Sequence, residues 1–174
     1  MFRLLKPNEI ECRVQSIKPG KNENADKAYI ILLLYKDARC DMRILDECVG
    51  SANWQRKHGD HKGNLFCSVG IYDNDKKEWI WKEDAGAESN TEAEKGHASD
   101  SFKRACVNWG IGRELYTAPF IYMELLPGEF YRDTKGNLKV NSNVKFYVDS
   151  IKYKDDEIKE LVIVDKKGNE RFRC

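Results

Sequence analysis

The chain has 174 residues, 41% hydrophobic and 34% charged, a balance that suits a folded domain with or without an appendage and excludes a wholly disordered chain. Lys plus Arg number 30 against 29 for Asp plus Glu, so bulk charge names no partner, and any nucleic-acid site must gather its cations on one surface. The apolar run Tyr29–Tyr35 is far too short to span a bilayer and the N-terminal stretch lacks a signal-peptide core, which predicts a cytoplasmic protein with no membrane partner.

Ile10 to Lys18 alternates and predicts a first strand. The turn-rich segment "PGKNENADK" follows, and then the β-branched and aliphatic run "AYIILLLY" predicts a buried strand. Between Asp37 and Val49 the period changes. Ala38, Met42, Leu45 and Val49 fall at helical spacing, with Gly50 as a stop. "NLFCSVGIYD" and "EWIWKEDAGAE" flank "NDKK" and predict a β-hairpin. Thr91 and Glu94 read as a capping box that opens a second helix. Ala98, Phe102, Ala105 and Trp109 give that helix one buried stripe, and Gly110 and Gly112 end it.

At about 100° per residue, Lys103 and Arg104 lie off this stripe. Two readings stand side by side. Asp100 precedes Arg104 by one helical turn, which permits a plain surface ion pair; alternatively, the helix holds two cations rigidly for a partner. Past Pro119 the chain alternates without helical periodicity, with turns at "KDDE" and "KKGN". The expected division is a core over 1–118 and a small β appendage over 119–174. The expected fold class is α+β, an antiparallel sheet packed on helices.

Cys12, Cys40, Cys48, Cys67, Cys106 and Cys174 include no Cys-x-x-Cys pair and predict free thiols, several of them buried. His58, His61 and Cys67 resemble a zinc set but lack a fourth ligand, so a polar loop between helix and strand is expected there. Glu83, Asp84 and Glu88 suggest a magnesium-dependent nuclease, against a solvated acidic surface. Trp79 and Trp81 suggest a non-DNA-binding scaffold with a protein interface. No nucleophile triad or phosphate loop is present, so neither an enzyme nor a cofactor is expected.

Four stretches in order, "RILDECVGSANWQRKH", "NLFCSVGIYD", "WKEDAGAES" and "ASDSFKRACVNWGIG", resemble the single-strand annealing proteins of the Rad52/Rad22 superfamily, in particular the Sak type carried by phages and prophages. The resemblance runs from Ile10 to Tyr116. It implies a β-β-β-α core, assembled as a homo-oligomeric ring that holds single-stranded DNA in a basic groove with the bases outward. It implies DNA contacts at Arg13, on the first strand, and at Lys103 and Arg104, on the helix. It places Tyr35 on an aromatic beside the groove and Trp54 on a Trp that also suits packing. Asn64 stands where eukaryotic relatives carry a lysine, and the 86–103 segment is shorter than theirs, so a second, outer DNA site is not implied. A role in recombination and repair follows from the likeness, with a single-strand-binding protein as a helper. Annealing breaks no bond. It requires an extended strand, neutralised phosphates and free base edges, which Lys and Arg on rigid elements supply without sequence preference. A near-neutral chain can do this if many subunits align their few cations.

Overall fold

A computed structural model describes residues 2–21, 26–61, 63–86 and 93–174 and, for residues 61 and 93–97, the backbone alone. In chain order the elements are β1 (Glu11–Pro19), β2 (Ala28–Tyr35), α1 (Ala38–Val49), β3 (Trp54–His61), β4 (Asn64–Asp73), β5 (Glu78–Ala85), α2 (Ala93–Asn108), β6 (Ile121–Leu125), β7 (Phe130–Arg132), β8 (Leu138–Val140), β9 (Phe146–Lys154), β10 (Glu157–Asp165) and β11 (Glu170–Arg173). This is a mixed fold, mostly antiparallel β, and α+β describes it. It forms two compact units, residues 1–5 with 36–113, and residues 6–35 with 114–174.

The first unit holds both helices and an antiparallel meander in the order β3-β4-β5. The expected hairpin is present as β4 and β5, in register from Phe66↔Ala85 to Asp73↔Glu78. The predicted polar loop around His58 is instead β3, paired along its length with β4 from Trp54↔Ile71 to His61↔Asn64. Its sequence, WQRKHGDH, is polar on both faces, so periodicity carries no strand signal, and pairing with β4 decides its conformation. Asp37 caps α1 by accepting from the Arg39 N–H at 2.7 Å. Ile44 and Leu45 are fully buried along with Asp41, where the sequence stripe places Met42. In α2 the buried set Ser101, Phe102, Ala105 and Cys106 is wider than one stripe, because the helix packs against β4, β5 and α1. The capping box at Thr91 and Glu94 lies outside the described residues.

The second unit is a six-stranded antiparallel sheet in the order β11-β10-β9-β1-β2-β6, plus the hairpin β7-β8. The strands after residue 119 therefore form no appendage. β6 pairs with β2 and β9 with β1, so N-terminal and C-terminal strands share one sheet and one core. The division at 118/119 does not match the compact units, because sequence order carries no information about which strand edges meet. Strand β2 alternates strictly, with Ala28, Ile30, Leu32 and Leu34 buried, as are Ile121, Met123 and Leu125 of its partner β6, and Phe146 and Ile163 further across the sheet. The sheet curls until β11 approaches β6. There Arg171 donates to the Glu124 carbonyl at 2.9 Å and to the Glu129 carboxylate at 2.7 and 2.9 Å, with its guanidinium 5.3 Å from the Phe146 ring centre.

One turn chemistry recurs. Asp133 accepts from the backbone N–H of Lys135 and Asn137, both at 2.9 Å, and Asp165 accepts from Lys167 and Asn169 at 2.7 and 3.0 Å. Each stretch reads Asp-x-Lys-Gly-Asn, with the glycine at positive φ (80° at Gly136, 84° at Gly168) where a side chain is strained. The hydrogen bonds hold both carboxyls below the usual aspartate range.

Candidate nucleic-acid interface

Helix α2 is fastened to the meander by side chains of the helix end and of β5. Trp109 Nε1 donates to the Val69 carbonyl at 3.0 Å, and Asn108 Nδ2 donates to the Glu83 carbonyl at 2.9 Å. Lys82 Nζ lies 4.5 Å from the Trp109 ring centre and donates to the Asn108 carbonyl at 2.9 Å. Arg113 donates to the carbonyls of Val107 and Asn108 at 2.9 and 3.2 Å. Two cations thus serve the orphan carbonyls at the negative end of the helix. These are structural roles that spacing alone does not separate from DNA contacts. Trp54 closes the other side: its ring packs 6.1 Å from Phe102 and its Nε1 donates to Asp46 at 2.7 Å, which is a packing role.

Lys103 and Arg104 leave this anchored helix along opposite borders of its buried face. Arg104 reaches Asp84 on β5 at 3.4 Å, and Lys103 lies 4.0 Å from Asp100. Of the two readings the spacing left open, an ion pair is present for Arg104, and its acid is Asp84 on β5, outside the helix. Arg104 keeps 46% of its side-chain surface exposed and Lys103 21%.

Beneath α2 lies a buried ion pair. Lys36 donates to Asp41, and their side chains are 5% and 0% exposed. Gly112, at φ 70°, leaves the space this lysine occupies; a β-carbon there would collide with its aliphatic chain. The second carboxylate oxygen of Asp41 has no hydrogen-bond partner, and burial raises its pKa to about 6 against the opposing pull of Lys36.

In the second unit Arg13 and Tyr35 meet directly. The Arg13 guanidinium lies 4.9 Å from the Tyr35 ring centre, held there by the Glu11 carboxylate at 2.6 and 3.1 Å. Glu11 pairs with Tyr35 and Arg13 with Leu33, so all four occupy one sheet face. The sequence-predicted residues therefore fall into two sets, Arg13 with Tyr35 in one unit and Lys103 with Arg104 in the other.

The acidic residues considered for a nuclease do not converge. Glu83 accepts from Ser68 at 3.1 Å on one face of β5, whereas Asp84 faces α2 and Arg104, as alternation along a strand requires. Glu88 lies outside the described residues. His58 contacts the Ala98 carbonyl at 3.2 Å, and no group of three metal-ligating side chains assembles among the described residues. The six cysteines are free, and burial pushes Cys67 up to about 11 and Cys12 up to about 12, which keeps both as thiols rather than nucleophiles. Trp79 and Trp81 pack together on the meander face opposite α2, their ring centres 6.2 Å apart. Trp81 lies flat over Gly70, where a β-carbon would stand 2.8 Å from its ring. No helix among the described residues is long and apolar enough to cross a membrane.

No curated protein and no solved structure matches the chain. Residues 62–123, which run through β4, β5 and α2 into β6 and so include Lys103 and Arg104, match the model of the Rad52/22 family double-strand break repair protein.

Proposed function

We propose that this protein binds single-stranded DNA and anneals complementary strands in recombination and repair, as a homo-oligomer of the phage Sak type acting in a bacterial cytoplasm. The observation that carries this reading is the family match over 62–123, because that family is associated with single-strand annealing and the matched segment contains the cation-bearing helix. Two features support it. Lys103 and Arg104 project from a helix fixed at its C-terminal end by Trp109, Asn108, Lys82 and Arg113, so the cations are presented by a rigid element. Arg13 sits over an aromatic ring with half of its side chain exposed, able to meet a phosphate while Tyr35 meets a base. The mechanism needs no bond-breaking group: phosphate contacts neutralise and extend the strand, and the base edges remain free for a complement. A single-strand-binding protein is the helper that this reading anticipates.

The test replaces Lys103 and Arg13 with Ala and measures binding to single strands across a salt series, with light scattering in parallel. Each lost phosphate contact lowers the salt slope by about 0.7, with little dependence on sequence. Arg13→Ala leaves folding intact, since exposed substitutions of this kind change stability by about 0.5 kcal/mol or less, and denaturant unfolding checks the less exposed Lys103→Ala. Variants that fold, assemble and bind as the parent does would overturn these assignments.

A further inference from the structure

Strand β1 carries a β-bulge. Its register with β2 runs Arg13↔Leu33 and Val14↔Leu32, then resumes at Ser16↔Ile31 and Lys18↔Tyr29, leaving Gln15 unpaired. Arg13 and Lys18 are an odd number of residues apart, so regular alternation sends them to opposite faces. The extra residue restores parity and turns both cations to the face that carries Tyr35, Leu33, Ile31 and Tyr29. Across that face, on the other side of β2, β6 pairs Tyr122 with Ile31 and Glu124 with Tyr29. Tyr122 stacks on Tyr29 with ring centres 5.2 Å apart and planes within 4°, and Phe120 continues the stack at 6.2 Å and 9°. The rings at the open end are accessible, Phe120 at 71% and Tyr122 at 45%.

We infer that this face is a base-stacking track for single-stranded nucleic acid, with phosphates along Arg13 and Lys18 on β1 and bases on the Tyr29–Tyr122–Phe120 stack. The inference rests on the single-strand reading above and adds to it Lys18 and the Tyr29–Tyr122–Phe120 stack, which neither the family match nor the sequence assigns. Dimensions agree: two inter-strand spacings of about 4.8 Å put the cation lane and the aromatic lane roughly 10 Å apart, and Tyr29 to Tyr35 spans roughly 20 Å, room for several extended nucleotides. Charge agrees as well. The acids bordering the face are engaged, Glu11 with Arg13 and Glu124 with Lys27 at 2.9 Å, while Lys18 has no ion pair among the described residues. Stacking occupies the faces of the bases and leaves their hydrogen-bonding edges open, which is what annealing requires. A second copy of the chain is the competing occupant, but the backbone edge of β6 is already partly served by Arg171, whose guanidinium binds the Glu124 carbonyl.

The experiment compares oligothymidylate with an abasic deoxyribose-phosphate oligomer of equal length, by fluorescence anisotropy, for the full chain and for Phe120→Ala, Tyr122→Ala and Tyr122→Phe. The parent prefers oligothymidylate. Phe120→Ala and Tyr122→Ala lose about 5- to 150-fold in oligothymidylate affinity, the range produced by removing one base–aromatic stack, and keep their affinity for the abasic oligomer. Tyr122→Phe retains the ring and the preference. Alanine variants that fold and bind both probes like the parent overturn the track alone and leave the single-strand reading standing. So does a parent that binds both probes equally. Equal loss for both probes with a smaller particle in light scattering also overturns it, and assigns the face to contacts between copies. A parent that binds neither probe overturns both readings.

Discussion

Lys36 with Asp41 in the helix-bearing unit, and Arg171 with Glu129 in the six-stranded unit, are both ion pairs withdrawn from water. The first is a single contact between a point charge and a carboxylate, with one oxygen of Asp41 left without a partner. The second is bidentate, adds a carbonyl as a third acceptor, and lies beside an aromatic ring. Burying charge is costly unless every polar atom is served. Arg171 meets that condition because its planar fork presents several donors at once, and it draws the end strands β11 and β6 together. Lys36 and Asp41 do not meet it, and the helix-bearing unit therefore carries an electrostatic cost at its centre that the other unit lacks.

Separating the partners should have the largest effect. Asp41→Ala leaves Lys36 buried without a counter-charge and is expected to destabilise the helix-bearing unit by about 3–5 kcal/mol, measured by denaturant unfolding. Replacing Lys36 and Asp41 together with Met and Leu should recover most of that loss, since the cost lies in the unpaired charge; a double variant as unstable as the single one would contradict the comparison. Next comes Arg171→Ala, expected to lose about 2–3 kcal/mol as charged hydrogen bonds to Glu129 go unmade. Arg171→Lys should rescue little, because an ammonium cannot reproduce the fork.

Acidity sharpens the contrast further. The Asp41 carboxyl titrates near pH 6 in the fold, above the usual aspartate value near 3.9, with burial as the main cause. A group bound to its proton more tightly in the native state contributes stability that is present in acid and is lost as pH rises through about 4 to about 6. Glu129 runs the other way. Its carboxyl is held below the usual glutamate range, with burial opposing and the Arg171 hydrogen bond, the Leu126 N–H and the Arg171 charge prevailing, so its contribution is lost as pH falls. Stability against pH for Asp41→Asn should lose the decline between about pH 4 and 6, whereas Glu129→Gln should lose the acid-side fall; identical profiles for parent and Asp41→Asn would remove the first claim. The smallest effect belongs to Arg104→Ala, whose exposed pair with Asp84 is worth about 0.5 kcal/mol or less, so any marked loss of function there reports contact with a ligand rather than a damaged fold.

Legibility followed the range of the interactions. The β4–β5 hairpin, the helix ended by Gly110 and Gly112, and the "KKGN" turn depend on period and turn chemistry within a few residues, and these were readable. The same turn at Asp133–Asn137 uses the same residue types but joins strands only three residues long, too short to show a period. Strand β3 escaped because its residues are polar on both faces. Arg13 and Tyr35 were each named through resemblance, and their contact was not legible, since the two residues lie on different strands.

What the sequence by itself determined is local: the strand character of β2, the helical period of α2, and the turn at "KKGN". Only the tertiary structure decided the rest. It placed the C-terminal strands beside β1 and β2, gave Arg104 to Asp84 and Lys103 to Asp100, and buried Asp41 on Lys36. It also inserted Gln15 as a bulge, which carries Lys18 to the face of Arg13. The reason is the same in each case. Period and turn preference act through φ and ψ over a few residues, whereas strand partners, side-chain partners and register are settled by which distant surfaces can be buried together.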